Sequence, residues 1–253
     1  MISSARPDNF GPMSTRDPHV PAVSHEHPDV TGGWLRPAVF GASDGLVSNV
    51  ALIAGVAGGT RGADTSTAVV LAGLAGLAAG AFSMAVGEYT SVASQSEAAA
   101  REVEKERAEI LANPEGEARE LAKMYVDKGI DEELAHEVAR QIHRDVDNAV
   151  AVHAREELGV DPEELASPML AAGSSFIAFA LGALVPLVPY LFGANTLIPG
   201  LVITLIALFG AGAVVTQVTT RSWVYGGVRQ MFLGAAAAAL TYGIGAAVGA
   251  NLG

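Results

Sequence analysis

Five stretches of the chain consist almost entirely of apolar residues, and polar segments separate them. Each stretch is long enough to cross a bilayer as a helix, which takes about 20 apolar residues. The pattern therefore predicts five membrane spans, over about 36–59, 67–93, 168–192, 196–219 and 228–251.

One long charged segment lies between the second and third spans. Residues 97–164 hold 20 of the 27 acidic residues and 9 of the 15 basic residues, and little charge remains elsewhere. A soluble protein of mixed composition would spread its charges over the whole chain. We therefore predict an all-α fold: a five-helix transmembrane protein with a soluble, acidic, three-helix insertion between its second and third spans.

The insertion is predicted to contain three helices. The first continues the second span to about 112, the second covers about 114–128, and the third covers about 132–158. Asn113 and Asp131 suit the N-cap positions of the later two helices, and each of these helices is followed by a glycine at its C-terminal end. Apolar residues at helical spacing predict the buried stripe of the third helix, formed by Leu134, Val138, Ile142, Val146 and Val150.

The chain is accordingly divided into four parts. Residues 1–33 are rich in Pro, His, Ser and Asp, and we expect a disordered tail in which His25-Glu26-His27 is solvated rather than bound to metal. Residues 34–96 form transmembrane helices 1 and 2, residues 97–164 a cytosolic helical domain, and residues 165–253 transmembrane helices 3 to 5.

The positions of Lys and Arg predict the orientation, because short cytosolic loops carry an excess of positive residues. With the N-terminus inside, Arg36, the insertion and the loop from Arg221 to Arg229 all face the cytosol, and the C-terminus is outside. The N-terminus does not have the residue pattern of a signal peptide. We expect the plasma membrane of a bacterium.

The composition excludes several classes of site and partner. No cysteine is present, so disulfides, thiolate zinc sites and iron–sulfur clusters are ruled out. The net charge of -12, without any basic stripe, argues against nucleic acid as a partner. No nucleophile–base arrangement, phosphate-binding loop or dinucleotide motif occurs, so we expect neither an enzyme nor an ATP-driven pump.

Three residues of the first two spans are candidates for a transport path. Asp44, Met84 and Glu88 combine two carboxylates with a thioether, and ionisable residues inside membranes commonly line ion pathways. We find no counter-cation within the spans. The alternatives are that Asp44 caps a helix at the interface, that Met84 only fills the core, and that Glu88 extends to the inner surface.

The insertion carries a second set of candidate metal ligands at helical spacings, namely Glu106, Glu109, Glu117, Glu120, His153 and Glu157. Two facing helices would bring the first four carboxylates together. Such a cluster repels itself unless a cation neutralises it, so some pKa values should be raised in the absence of metal. The alternative is a solvated acidic surface, and His136 and His143 are expected to be surface or packing residues.

Small residues recur along the fifth span at spacings that permit close helix packing, at Gly234, Ala238, Gly245 and Gly249. They indicate contact either with a second copy of the chain or with neighbouring helices of the same chain. The pattern alone favours neither alternative.

Three motifs and one loop resemble those of the vacuolar iron transporter family, which includes the yeast Ca²⁺-sensitive cross-complementer and nodulin-21-like proteins. The motifs are Gly41-Ala-Ser-Asp-Gly-Leu46, Ser83-Met-Ala-Val-Gly-Glu-Tyr-Thr-Ser91 and His153-Ala-Arg-Glu-Glu-Leu-Gly159, and the loop contains Arg221-Ser222 and Gly227-Val-Arg-Gln230. The resemblance covers about residues 34–252.

This resemblance implies a homodimer with five spans per subunit that moves Fe²⁺, and often Mn²⁺, out of the cytosol in exchange for protons, along the dimer interface. It implies that Asp44 and Met84 handle metal in the membrane, with Glu88 in the same motif. The four glutamates at spacings of 3, 8 and 3, together with Glu157, match the family's cytosolic metal-binding acids. Iron-transporting plant members carry a Met pair where this chain has His153 and Ala154, which puts a preference for iron in doubt.

The hypothesis from the sequence is an exporter of Fe²⁺ or Mn²⁺, with Zn²⁺ as a further candidate, driven by protons and without a tightly bound cofactor. The insertion collects metal and delivers it towards Met84 and Asp44. A membrane-anchored metal buffer or sensor is the alternative, and it predicts binding without flux. A ferritin-type iron oxidase is weaker, because it requires Glu-x-x-His motifs on bundle helices.

Overall fold

The computed structural model describes residues 33–60, 65–216 and 221–252. Within these ranges the protein contains helices and no strand, which confirms the all-α class. The predicted tail, with its His25-Glu26-His27 motif, lies outside the described residues apart from Gly33. In chain order the helices are α1 (Leu35–Gly59), α2 (Thr65–Ala112), α3 (Pro114–Asp127), α4 (Glu132–Ile142), α5 (Val146–His153), α6 (Pro168–Leu184), α7 (Val188–Leu191), α8 (Leu197–Val215) and α9 (Trp223–Leu252).

Among the described residues, five helical segments are long and apolar enough to cross a membrane, as the sequence predicts. They are α1, α2, the α6–α7 segment, α8 and α9. The third span is interrupted by a tighter turn over Val185–Leu187, because Pro186 and Pro189 cannot donate the backbone hydrogen bonds that an α-helix requires. The fifth span, α9, begins at Trp223, which is earlier than the start predicted at about 228.

The first helix is the centre of the membrane part, and it packs against α2, α6, α8 and α9. Glycines permit its closest contacts, since a side chain at Gly45 would meet the backbone of α6 at Phe179 and Ala183. On the opposite side, Gly58 lies against the backbone of α9 at Tyr242. Helices therefore touch backbone to backbone on two sides of α1, as is common in membranes where small residues line the contact.

The small residues of the fifth span make contacts within the same chain. Gly245 lies against the backbone of Gly55, and Gly249 lies against that of Gly59. Ala238 is buried beside Val50. Gly234 faces Leu208 of α8. Of the two alternatives for this stripe, packing against neighbouring helices is therefore the one that the structure contains.

The long second helix confirms the predicted continuation into the insertion. It runs for 48 residues without a break, from the apolar span into the charged segment. Asn113 caps the next helix, its side chain accepting a hydrogen bond from the backbone N–H of Gly116 at 3.1 Å. Met84 and Glu106 are thus carried by one continuous helix.

The single helix predicted over 132–158 is wrong, because the chain breaks between α4 and α5. The carboxylate of Asp145 accepts hydrogen bonds from the backbone N–H groups of Asp147 and Asn148, and it thereby starts a new helix. A turn of wider, π-helical geometry over Ala154–Leu158 follows α5.

The predicted buried stripe also needs correction. Leu134 is 56% exposed, and the buried positions of α4 are Ala135 and Ala139, which pack against Leu121 and Ala122 of α3. Of the other predicted positions, Val150 of α5 is buried, while Val138 and Ile142 of α4 and Val146 of α5 are partly buried. Small residues line this contact because α3 and α4 lie close together.

Candidate metal sites

Three predicted ligands converge in the insertion, one each from α2, α5 and the π-helical turn. Nδ1 of His153 lies 2.9 Å from Oε1 of Glu106 and 2.8 Å from Oε1 of Glu157. The three ligand atoms all lie within 4.8 Å of one another. We call this group the cytosolic cluster, after the location that the sequence predicts for the insertion.

Local packing explains the position of each member of the cytosolic cluster. Ile110, one turn beyond Glu106 on α2, is buried against Ala149 and Val150 of α5, so that Glu106 faces the same helix. His153 ends α5, and the wider turn that follows carries Glu157 back towards its ring. Gly159 then ends the turn at a φ of 64°, a backbone conformation that glycine adopts readily.

The cytosolic cluster is buried and incompletely hydrogen-bonded. The side chain of His153 is 0% exposed and that of Glu106 is 8% exposed, whereas Glu157 keeps 25% of its side chain exposed. The bond at Nδ1 goes to Glu157, and Oε1 of Glu106 has no hydrogen-bond partner among the described residues. A buried carboxylate oxygen without a donor is costly, and a divalent cation would satisfy it. One imidazole and two carboxylates suit Fe²⁺, Mn²⁺ and Zn²⁺.

Electrostatics in the insertion favour a bound cation. Burial, followed by the nearby Glu157, raises the pKa of Glu106, which lies beyond the apolar part of α2. Burial and then Glu120 raise the pKa of Glu117, while His153 lowers it. These raised pKa values agree with the expectation for crowded carboxylates without metal.

The other three predicted ligands lie outside the cytosolic cluster. Glu109 is half-exposed, and its carboxylate faces Lys105 at 3.8 Å. Glu117 and Glu120 belong to α3, where their charges act on one another. Glu109, Glu117 and Glu120 add negative charge around the cluster, and their coordination of metal stays a prediction.

His143 is a neighbour of the cluster that the sequence analysis assigned to surface or packing. Its ring meets that of His153 edge to face, with 5.1 Å between ring centroids. Nδ1 lies 2.9 Å from the carbonyl oxygen of Ala139, and burial lowers the pKa of His143. The break between α4 and α5 brings the two rings together, so that helical spacing carries no signal for this contact.

One Glu-x-x-His motif is present in the insertion, formed by Glu133 and His136 on α4. Both residues line an open groove together with Arg119 and Arg140. Neither of them belongs to the cytosolic cluster. The arrangement differs from a ferritin-type centre, in which such motifs project into the bundle core.

Within the membrane part, Asp44 and Met84 line the same cavity, which has a volume of about 210 Å³. We call it the membrane cavity. The wall also contains Gly76 and Gly80 of α2, and Phe179 of α6. Carboxylate and thioether thus face one space, as the transport-path prediction requires. Asp44 also lines a second, larger cavity of about 910 Å³.

Asn49 is a polar residue of the membrane cavity that the sequence analysis missed. It is 2% exposed, and its Nδ2 donates a hydrogen bond to the carbonyl oxygen of Ala183 at 2.5 Å. Its Oδ1 has no hydrogen-bond partner among the described residues. The sequence does carry a signal for this residue, since an asparagine is unusual within an apolar span and stands five residues after Asp44.

Glu88 has a counter-charge that the sequence analysis did not identify. Nη2 of Arg36 lies 3.5 Å from Oε2 of Glu88, which joins the start of α1 to the inner part of α2. The side chain of Glu88 is largely buried, and that of Arg36 is exposed. Arg36 stands at the end of its span, and the expectation that Glu88 lacks a nearby cation is therefore corrected.

Comparison with known proteins supports the motif resemblance along most of the chain. A sequence model of the VIT family matches residues 35–246. A vacuolar iron transporter of Acanthamoeba castellanii is 38% identical over 233 residues, covering 90% of this chain and 84% of that protein. Vacuolar iron transporter 1 of Oryza sativa subsp. japonica is 31% identical, with 88% and 90% covered, and that of Arabidopsis thaliana is 32% identical, with 83% and 84% covered.

The matched region contains every member of the cytosolic cluster and the membrane cavity. The names of these relatives refer to the vacuole, so the expected plasma membrane of a bacterium finds no support in them. Five apolar helices and the family match agree on a membrane protein. The chain belongs to the VIT family.

Proposed function

We propose that this protein carries divalent iron, and also manganese, out of the cytosol across a membrane in exchange for protons. The observation that carries the proposal is the convergence of His153 and Glu157 on Glu106, which lies on the same continuous helix as Met84. Relatives named vacuolar iron transporters support iron as the transported ion. Zn²⁺ suits the same ligands and is a further candidate.

In this proposal the cytosolic domain collects the ion. The surrounding glutamates attract cations, since a cleft lined by one sign of charge raises the local counter-ion concentration. The exposed part of Glu157 gives the ion access, and Glu106 and His153 complete its coordination. Binding releases protons because the ligands must be deprotonated, so metal uptake and proton release are coupled at this step.

The second step is passage through the membrane cavity. Asp44 supplies a carboxylate that binds a cation and also titrates, and Met84 supplies a polarisable sulfur. Glu88 lies nearer the cytosolic domain on α2, where an arriving ion would compete with Arg36 for its carboxylate. Exchange for protons fits the carboxylates of Asp44 and Glu88, because a carboxylate binds a cation when ionised and is neutral when protonated.

We further propose that the insertion and the N-terminus both face the cytosol. Two copies of the chain form a homodimer. The excess of Lys and Arg near the inner ends of the spans supports the orientation. In the single chain α9 exposes an apolar face, formed by Phe232, Leu240 and Ile244. Lipid or a second copy would cover that face.

Transport by purified protein in liposomes tests the proposal. Under an imposed pH gradient we expect flux of Fe²⁺ and Mn²⁺, with proton movement in the opposite direction. Met84→Leu should lower the flux at least tenfold and leave metal binding by the cytosolic cluster unchanged. Met169→Leu, at an exposed methionine of α6, is the matched control and should transport normally.

A metal buffer or sensor is the competing function, because the cytosolic cluster lies outside the spans and can bind without a path. It predicts metal binding by the wild-type protein with no flux in liposomes. Full flux in Asp44→Ala would instead contradict the proposed path while leaving transport itself intact.

A further inference from the structure

We propose that Asn49 is a ligand of the transported ion and sets the preference of the membrane cavity for Mn²⁺ over Zn²⁺. The inference rests on the proposed transport function. It assigns to the cavity a neutral oxygen donor in addition to the carboxylate of Asp44 and the sulfur of Met84. Carbonyl oxygens suit Mn²⁺, whereas softer donors favour Zn²⁺.

The orientation of the Asn49 amide follows from its one hydrogen bond. Nδ2 donates to the carbonyl oxygen of Ala183, which is only an acceptor. The flipped amide would bring two oxygens together at 2.5 Å, so the observed assignment is the favourable one. The bond to α6 therefore holds Oδ1 on the side away from Ala183.

Oδ1 of Asn49 faces α2 at a position without a side chain. A Cβ atom on Gly76 would lie 3.1 Å from this oxygen. The side chain of Leu52 comes closer still to this position, and the ring of Phe179 fills the corresponding space at Gly80, one turn further along α2. Both glycines line the membrane cavity, and Asn49 adds to its wall an oxygen that has no donor among the described residues.

An unpartnered carbonyl oxygen is especially costly inside a membrane, where no bulk water is available. A cation in the membrane cavity would supply the missing partner. Asp44 and Asn49 both reach this space from α1, and Met84 reaches it from α2. The oxygens of Asp44 and Asn49 and the sulfur of Met84 then form a mixed donor set. Without the Asn49 oxygen, sulfur makes up a larger share of the ligands, and the site is softer.

A structural role is the competing interpretation, since the bond to Ala183 also joins α1 to α6. Two substitutions separate the roles. Asn49→Leu and Asn49→Asp both remove the Nδ2 donor, but only Asn49→Asp keeps an oxygen at the cavity. A purely structural role predicts equal defects, whereas a ligand role predicts weaker metal binding for Asn49→Leu only.

Initial rates of Mn²⁺ and Zn²⁺ transport in liposomes are the main measurement. For Asn49→Leu we expect the half-saturating Mn²⁺ concentration to rise about tenfold, the change that corresponds to 1.4 kcal/mol. The half-saturating Zn²⁺ concentration should change less, so that selectivity for Mn²⁺ falls. For Asn49→Asp, the half-saturating Mn²⁺ concentration should be equal to or lower than that of the wild type.

Three results have distinct meanings. Absence of flux in the wild type would overturn the proposed function itself. Wild-type flux with an unchanged half-saturating concentration and metal selectivity in Asn49→Leu would overturn the role of Asn49 alone. Equal losses of maximal rate in both variants, at an unchanged half-saturating metal concentration, would show that the Asn49 amide only joins α1 to α6. That result would also overturn the inference.

A second measurement needs no variant and covers the case in which both substitutions prevent folding. Anomalous scattering from Mn²⁺ in crystals of the wild-type protein should give a peak at coordination distance from Asn49 Oδ1, about 2.0–2.6 Å for oxygen ligands of hard divalent ions. A Mn²⁺ peak held by Asp44 and Met84 but beyond that distance from Oδ1 would contradict the proposal.

Discussion

His153 and Glu106 stand 2.9 Å apart, ring nitrogen to carboxylate oxygen, without a hydrogen bond between them. Nδ1 of His153 instead makes its bond with Glu157. One nitrogen therefore faces two carboxylates, and the more deeply buried carboxylate is left without a donor. The arrangement is unfavourable without a cation and favourable with one, and this difference makes the cytosolic cluster testable.

Glu106→Gln should have opposite effects on the metal-free and metal-bound forms. Removing a buried carboxylate that Glu157 crowds should stabilise the metal-free protein by about 1–3 kcal/mol. Loss of a carboxylate ligand should weaken Mn²⁺ binding at least tenfold, and thermal unfolding and calorimetric titration in detergent measure the two effects. Glu109→Gln, at a half-exposed glutamate, is the control and should change stability by less than about 1 kcal/mol. Undiminished Mn²⁺ affinity in Glu106→Gln would exclude Glu106 as a ligand.

Glu117 should make metal-free stability fall as the pH rises. Burial and Glu120 raise its pKa above the ordinary 4.5, so the folded domain keeps this proton to higher pH than the unfolded chain does. Stability is therefore lost as pH increases from 4.5 through the raised pKa of the folded state. Mn²⁺ binding, which competes with protons, should strengthen over the same window.

Unfolding midpoints measured against pH, with and without Mn²⁺, check this dependence. Glu117→Gln should flatten both the stability and the affinity curve. Glu104→Gln removes an exposed carboxylate of α2 and controls for the loss of one charge. Identical slopes in Glu117→Gln and the wild type would contradict the prediction.

Gly245→Ala should destabilise the membrane part by about 1–3 kcal/mol, because a methyl group there would meet the backbone of Gly55. Gly243→Ala, on the same helix, is the matched control, since nothing lies within 4 Å of its added carbon. The control should be neutral or stabilising by up to about 1 kcal/mol. Thermal unfolding in detergent compares the two variants, and equal midpoints would argue against the close α1–α9 contact.

Asp145→Ala should loosen α5 and thereby weaken metal binding. Loss of this N-cap costs about 1 kcal/mol, and α5 ends at His153, a proposed metal ligand. Asp131→Ala removes the corresponding cap of α4, which carries no member of the cytosolic cluster. Hydrogen exchange should increase in α5 for the first variant and in α4 for the second. Weaker Mn²⁺ binding is expected only for Asp145→Ala, and equal affinities would contradict a role of α5 order in binding.

The membrane spans could be predicted because burial in lipid requires long uninterrupted apolar stretches. The continuous second helix was also predictable, since no proline or glycine interrupts 88–112. The break before Asp145 was not, because Ile142 and Val146 keep helical spacing across it. The burial of Ala135 in place of Leu134 depends on how closely α3 and α4 approach, which the pattern of one helix does not contain.

The candidate sites were predictable where charge or sulfur stands out against an apolar background. Asp44 and Met84 were found for this reason, and Asn49 was missed because an uncharged amide is less conspicuous. The pairing of Arg36 with Glu88 joins two helices, and its detection requires their relative positions. His143 packs as expected, but its contact with His153 depends on the break between α4 and α5 and could not be predicted.

The unbroken second helix limits how tightly the cytosolic cluster can hold an ion that is to be transported. Met84 and Glu106 are separated by about 33 Å along the helix axis, at 1.5 Å per residue. One ion cannot touch both residues, so it must dissociate before it reaches the membrane cavity. We take an association rate constant of about 10⁸ M⁻¹s⁻¹ for the ion and the cluster, and a transport rate of about 10 ions per second. Each ion must then leave the cluster within about 0.1 s. The dissociation constant of the cytosolic cluster then has a lower bound of about 0.1 μM.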